Sequence, residues 1–257
     1  MLIMDMDTPV YRAAGAAQKT QEDGSITVEP FSHAAHNMDL FITSVLNKFP
    51  EHEYVMYLTA AKDKHYRYDI YPEYKANRKA YKRPVHYGEV REYLIKKYGA
   101  IIVEDMEADD ALAIAMCHHI PTREEEVTSQ TPIAVYIDKD LDQIPGWRFK
   151  YKHSAKSEEK LYYVDQIDAL KSFYKQMFKG DSSDNVKNLI FRKTWKHEVN
   201  HIFSMQSEVD MYKLLHNSFR TESKLSDEEV RELLTKRGRI LWLQRFKGDM
   251  WNPPLMI

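Results

Sequence analysis

Pro132-Ile133-Ala134-Val135-Tyr136-Ile137-Asp138-Lys139-Asp140-Leu141-Asp142 is the stretch on which the fold turns. Its uncharged first half, rich in β-branched and aromatic side chains, reads as a strand buried on both faces, and such strands belong to parallel sheets. The run stops at Asp138, so its carboxyl end carries acid. Working outward, Leu2 to Met4, Glu53 to Thr59 and Ala100 to Val103 are short and two-sidedly apolar in the same way. The segments between them have helical periodicity. One helix is marked by Phe31, Ala35, Met38, Ile42, Val45 and Phe49 on a single face, and another runs from Ala108 to His119. From about Asp165 onward the strand signal stops. Helices are expected over Asp165 to Phe178, Glu208 to Phe219 and Asp227 to Lys236, the last opened by a capping box in Ser226 and Glu229. Pro121 to Pro132 reads as a solvated loop and Trp251 to Pro254 as a non-helical tail. The pattern predicts an α/β fold with a mostly parallel sheet flanked by helices and an all-helical C-terminal part.

The chain has 257 residues with 37 Lys plus Arg, 39 Asp plus Glu and a formal net charge of -2. That length accommodates one large domain with its own core. No apolar run approaches the roughly 18 residues of a membrane span. The N-terminus lacks the basic and apolar regions of a signal peptide, so the expected location is the cytoplasm. Cys117 is the only cysteine, which excludes an intrachain disulfide and a multi-thiolate zinc site. The eight glycines form neither a Walker-A loop nor a G-x-G-x-x-G turn.

The acids follow the strands. Asp5 and Asp7 follow the first, Glu104, Asp105, Glu107, Asp109 and Asp110 the third, and Asp138, Asp140 and Asp142 the fourth. In an open parallel sheet the carboxyl ends of the strands face one crevice, so these groups should converge there. Asp181 and Asp184, in Gly180-Asp-Ser-Ser-Asp-Asn185, open the helical part. Taken singly, Asp109 and Asp110 suit the first turn of a helix, Asp138 and Asp140 a turn, and Asp184 an N-cap. Taken together, they fall on one edge. Two unit charges 4 Å apart repel by about 4 kcal/mol at an effective dielectric near 20, so such a cluster calls for bound cations. All-oxygen donors favour Mg²⁺ or Mn²⁺ over zinc, and two such ions form the usual clamp for in-line attack on a phosphodiester.

Residues 62 to 98 hold eleven Lys or Arg against five Asp or Glu, with eight of the seventeen tyrosines. The centre is Tyr74-Lys75-Ala-Asn-Arg78-Lys79-Ala-Tyr-Lys82-Arg83-Pro84. Cations pair with phosphates and tyrosines stack on unpaired bases, which suits nucleic acid. The bland alternative is a solvated helix face, although tyrosine rings more often mark interfaces. Between the second and third strands, the stretch would rise over the carboxylates, where Lys75 or Arg78 could stabilise charge developing on a phosphate.

In order along the chain, Leu2-Ile-Met-Asp5, Pro72-Glu-Tyr-Lys-Ala-Asn-Arg78, Glu107-Ala-Asp-Asp110, Asp138-Lys-Asp-Leu-Asp142 and Gly180-Asp-Ser-Ser-Asp-Asn185 resemble the motifs of the metal-dependent 5′ nucleases. These comprise phage 5′→3′ exonucleases, flap endonucleases and the 5′ nuclease domain of bacterial DNA polymerase I; the length is most like the stand-alone phage enzymes. The resemblance covers about residues 1 to 190. It implies a PIN-like, twisted sheet over residues 1 to 180, with a basic arch at about 62 to 98. A helix-hairpin-helix-like DNA-binding region would follow over 181 to 257. It implies a monomer acting on DNA 5′ ends, flaps, duplex or RNA–DNA hybrid, with two Mg²⁺ or Mn²⁺ ions. By matching positions, Asp5, Glu107, Asp109, Asp110 and Asp138 belong to one metal group and Asp140, Asp181 and Asp184 to a second. Lys75 and Arg78 match residues that contact the scissile phosphate. Tyr74, Lys79, Lys82 and Arg83 fall with them on the nucleic-acid-binding arch.

Two departures stand out. The family's aspartate after the second strand is replaced by Leu58-Thr-Ala-Ala-Lys62, with Asp63 displaced and Asp7 available as a substitute. The family's glycine-rich hairpin, which holds duplex DNA with a monovalent cation, is here Val186-Lys-Asn-Leu-Ile-Phe-Arg-Lys-Thr194, without glycine. That points to weaker duplex anchoring or to anchoring by Arg192, Lys193 and Lys196, and leaves the monovalent cation open.

His197-Glu198-Val-Asn-His201 fits the H-E-x-x-H pattern of zinc peptidases, with Glu222 as a conceivable third ligand. Such a short match is more simply an exposed helix face. A non-catalytic nucleic-acid-binding module is a third reading, but it gains nothing from carboxylates facing phosphate. Cys117 reads as core, His118 and His119 as a helix end, and Trp242 and Phe246 as packing. The basic Arg237 to Arg245 segment is a further candidate for duplex contact.

Overall fold

The computed structural model describes residues 1–60, 65–80, 82–188 and 195–255, with the side chains of 79, 80, 195 and 196 excepted. The chain begins with β1 (Leu2–Asp5), α1 (Asp7–Ala16), the hairpin β2 (Gln18–Thr20) and β3 (Ile26–Val28), and α2 (Phe31–Leu46). Next come β4 (Tyr54–Thr59), α3 (Tyr66–Ile70), α4 (Tyr87–Tyr98), β5 (Ile101–Val103), α5 (Ala108–Cys117) and β6 (Ile133–Tyr136). It continues through β7 (Gly146–Lys150), β8 (Lys160–Val164), α6 (Gln166–Lys179), α7 (Trp195–Ile202), α8 (Glu208–Ser223) and α9 (Asp227–Leu241).

Six strands form one sheet in the order β5-β4-β1-β6-β7-β8, parallel except for β8, which runs antiparallel to β7. Met4 at the centre sits opposite Met56 on one side and Val135 on the other. From β1 the chain first builds β4 and β5, then crosses to β6. The sheet direction therefore reverses between β1 and β6, and their carboxyl ends flank a crevice.

Alternation along the strands divides the core. Leu2 and Met4 face α1, α2 and α4, where Val10, Met38, Ile42, Val90 and Leu94 pack on them. Ile3, Ala134 and Tyr136 face the other way, onto Leu112 and Met116 of α5. A separate cluster unites the helical part: Phe173, Met177 and Phe178 of α6 pack with Tyr212, Leu215, Phe219, Leu234, Trp242 and Trp251. Tyr74, from the basic stretch, is buried in the same cluster.

Each of the four anticipated strands is present within a residue or two, and the last strand among the described residues ends at Val164. The reading missed α1, the β2–β3 hairpin, β7 and β8. The short apolar side chains of α1 give a weak face, and Pro9 fits because it lies in the helix's first turn. In β7 the fully buried Arg148 breaks the apolar run. The capping box of α9 forms as expected, and the tail after it carries no helix. Trp251 seats against Gly238, where an added Cβ would lie 2.1 Å from the indole. Among the described residues no helix is long and apolar enough to cross a membrane.

Candidate active site

The crevice at the switch point is lined by seven carboxylates, Asp5, Asp7, Glu107, Asp109, Asp138, Asp140 and Asp184. Arg67, Tyr74, Lys75 and Arg78 line it with them, around a cavity of about 160 Å³. The acids arrive from five places in the chain, Glu107 with Asp109 and Asp138 with Asp140 arriving in pairs. Asp5 ends β1, Glu107 is the N-cap of α5, and Asp138 caps the short turn 139–143 by accepting from the Asp140 amide at 3.0 Å. Asp184 lies in a turn closed by paired backbone bonds between Asp181 and Val186. That turn needs Gly180: its φ is +69°, and an added Cβ would sit 2.3 Å from the Val186 carbonyl.

The basic motif is stitched onto this acidic turn. The Lys75 amide donates to the Asp184 carbonyl at 3.1 Å, Asn77 Nδ2 to Ser182 at 2.6 Å and Arg78 Nε to Ser183 at 2.9 Å. Asn185 Nδ2 returns a bond to the Glu73 carbonyl at 2.9 Å. Lys75 adopts φ 53°, a left-handed backbone uncommon for a lysine, and its ammonium bonds Glu107 and lies 3.6 Å from Asp184. Tyr74 bridges the same two acids, donating to either Glu107 at 2.7 Å or Asp184 at 2.9 Å. Arg78, half exposed, reaches Asp184 at 3.1 Å.

Burial and mutual repulsion divide the acids. Burial, reinforced by Asp7 and Asp138, pushes Asp5 up to about 8. Asp140 is likewise raised to about 8, by burial, by Asp138 and by a hydrogen bond shared with Asp181. Burial, with Asp5 and Asp138, lifts Asp109 well above the carboxylate range, and burial with Glu107 also raises Asp184. Burial works to raise Glu107 too, but Lys75, Arg67 and His65 outweigh it and hold the group low. Against burial, hydrogen bonds from Asp140, Ser183 and Gln176 hold Asp181 at about 2. Seven lining carboxylates thus face the three cations Arg67, Lys75 and Arg78. Such an excess of carboxylate oxygens suits hard divalent cations, although among the described residues no three His, Cys, Asp or Glu form a ready-made metal cluster.

Two of the expected metal residues, Asp110 and Asp181, do not line the crevice. Asp110 is fully buried: Arg67 grips it at 2.5 and 2.8 Å, and the amides of Glu107 and Gln244 take its remaining capacity at 3.2 and 3.1 Å. It holds the start of α5 and does not line the crevice. Tyr74 is 2% exposed, so its ring is closed to a base; the packed cluster and the two hydroxyl contacts account for its place. The other described tyrosines of 62–98 are also turned inward at least in part, Tyr93 and Tyr98 both donating to Asp39. Lys82 and Arg83 are exposed. Arg192, Lys193 and Asp63 lie outside the described residues, as do the side chains of Lys79 and Lys196.

Arg67 is the functional residue that reading by composition missed. Composition places it with the other cations of residues 62 to 98, yet it is 2% exposed and also donates to the carbonyls of Ile240 and Trp242 at 2.9 Å each. Nothing in Tyr66-Arg-Tyr-Asp signals burial. Asp7 stands at the end of β4, its carboxylate accepting from the Thr59 amide at 3.2 Å and facing Arg91 at 3.3 Å. The Arg237–Arg245 segment serves the fold: Arg237 donates to the carbonyls of Met177 and Lys187, Arg239 to that of Trp251, and Arg245 stacks on Trp242. His197 and His201 lie exposed on α7 and are joined into no metal cluster among the described residues.

A mostly parallel sheet with this order, carrying acids at its switch point and a helical C-terminal part, is the 5′ nuclease fold. The chain is similar in structure to three solved structures of T5 proteins. They are T5 D15 protein co-crystallised with metal ions (TM-score 0.57) and a D15 flap endonuclease variant in a pseudo-enzyme-product complex with DNA and metal ions (TM-score 0.62). The third is a mutant T5 5′-exonuclease (TM-score 0.58). Each match spans 93% of this chain and 86 to 88% of the other at 16% identity. No protein-family model and no curated protein matches the sequence.

Proposed function

We propose that the protein is a divalent-metal-dependent 5′→3′ nuclease that hydrolyses DNA phosphodiesters at 5′ ends and flaps. The observation that carries this reading is the convergence, on a 5′ nuclease fold, of seven carboxylates from several elements beside Lys75 and Arg78. Asp5, Asp109, Asp138 and Glu107 would hold one ion and Asp140 and Asp184 the other. Asp181 acts through its bond to Asp140, Asp7 takes the position left by the missing strand-end aspartate, and Asp110 braces α5. When bound, two Mg²⁺ or Mn²⁺ ions would supply an activated water and stabilise the leaving oxygen.

The chain's own residues do the rest. Lys75 and Arg78 hold positive charge at the crevice where negative charge would build on a phosphate under attack. Tyr74 keeps Glu107 and Asp184 in register beneath them. In this reading residues 1–180 form the nuclease domain and 181–257 a helical DNA-binding region, and the protein works as a monomer in phage-type replication or repair in the host cytoplasm.

The test is cleavage of a 5′-labelled flap, a blunt duplex, an RNA–DNA hybrid and a single strand with Mg²⁺, Mn²⁺, Zn²⁺ or EDTA. Cleavage from the 5′ side in Mg²⁺ or Mn²⁺, abolished by EDTA, is expected. No cleavage of any substrate in either metal would overturn the reading.

A further inference from the structure

Beyond Asp140 a second cavity, of about 150 Å³, adjoins the crevice between the 139–143 turn and α6. The two spaces share Asp140 and Gln176, but Lys75 and Arg78 line only the first. Lys139, Ser172, Lys175 and Lys179 line the second. On α6, residues 172, 175, 176 and 179 follow the i, i+3, i+4, i+7 spacing and form one stripe along its wall.

Asp140 and Asp142 also line this groove, but both are engaged by other groups, and Asp140 lies 3.9 Å from the Lys139 ammonium. Asp142 accepts the Tyr136 and Tyr162 hydroxyls at 2.7 and 2.8 Å and faces the buried Arg148 at 3.6 Å, while Asp140 is hydrogen-bonded to Asp181. Two of the three lysines are exposed and the third is half-buried. Lys139 is 77% exposed, Lys179 is exposed in the last turn of α6, and Lys175 reaches over the Phe203 ring at 5.2 Å. Lys179 also complements the carboxyl end of its helix, but that accounts for neither Lys139 nor Lys175. A lysine-lined groove adjoining a crevice for phosphodiester chemistry fits the polyanion that the crevice would cut.

We propose that this groove seats backbone phosphates of the nucleic-acid strand next to the point of cleavage, a second grip opposite in sign to the carboxylates it adjoins. The proposal rests on the nuclease reading above. The test compares wild type with the triple variant Lys139→Gln, Lys175→Gln, Lys179→Gln. Binding of a labelled blunt duplex and a labelled single strand is followed by anisotropy in EDTA between 50 and 200 mM salt, alongside cleavage kinetics in Mg²⁺.

Losing three phosphate contacts should flatten the slope of log affinity against log salt by about 2.7 on duplex or about 2.1 on single strand. The probe that responds identifies which form occupies the groove, and KM should rise at least about tenfold with a much smaller change in kcat. Unchanged slopes and KM, in a wild type that binds and cleaves, would overturn the groove alone. A wild type that neither binds nor cleaves DNA would overturn the nuclease reading with it. If the triple variant melts, Lys139→Gln by itself should still flatten the slope by about 0.7 to 0.9, and no change there refutes the proposal.

Discussion

Replacing Asp5 with Asn should make the metal-free protein more stable while removing its metal-dependent activity. Unfolded, Asp5 titrates near 3.9; folded, it titrates at about 8, through burial and the nearby Asp7 and Asp138. Between those values the folded chain holds a proton that the unfolded chain has released, so stability falls as pH rises through the window and the loss is complete above about 8. A displacement of about 4 units corresponds to ~5 kcal/mol. Because Asp5, Asp7 and Asp138 share that repulsion, the single substitution should recover about 2 kcal/mol at pH 8. Urea unfolding in EDTA at pH 5 and pH 8 measures it. Wild type should lose stability between the two, and Asp5→Asn should lose less, the raised Asp109 and Asp140 still contributing to its fall. Mg²⁺ at 100 times its Kd should restore about 2.7 kcal/mol to wild type and less to the variant. A wild type more stable at pH 8 than at pH 5, or an Asn variant less stable than wild type at pH 8, would refute the reasoning.

Lys75→Ala should lower the single-turnover cleavage rate by about 100-fold or more with little loss of DNA affinity; equal effects on both would reduce Lys75 to a plain phosphate contact. Arg67→Met leaves the fully buried Asp110 without its partner and should cost about 3 to 5 kcal/mol in urea unfolding, whereas Arg67→Met with Asp110→Leu should recover part of that. Gly180→Ala should depress metal-dependent activity through the 181–186 turn, because the new methyl collides with the Val186 carbonyl at 2.3 Å; normal activity and an unchanged melting midpoint would show that the turn tolerates it.

The parallel core was legible because buried strands are uniform: Leu2–Asp5 and Ile133–Tyr136 carry no internal charge, and the acids that end them name the crevice. Elements were lost where a single residue hid the period. Arg148 lies fully buried in β7, and α1 shows too little apolar contrast to declare a face. In the site, spacing led to the right acids but could not rank them. Asp109 and Asp110 are neighbours in sequence, yet one helix step of about 100° turns the first into the crevice and the second onto Arg67. The tyrosines of 62–98 misled for a related reason, since composition cannot say which side of a surface a ring occupies, and those described pack inward.

The bonds from Arg67 to the carbonyls of Ile240 and Trp242, and from the Gln244 amide to Asp110, tie the last helix to the first residues of the crevice. Ile240, Leu241 and Leu243 also line it. On the ribosome, where residues appear in order, the acids of β1, α5 and β6 therefore emerge long before the wall that closes around them. The nascent chain carries an open crevice until synthesis passes Gln244, its wall closing with the last helix rather than with the sheet.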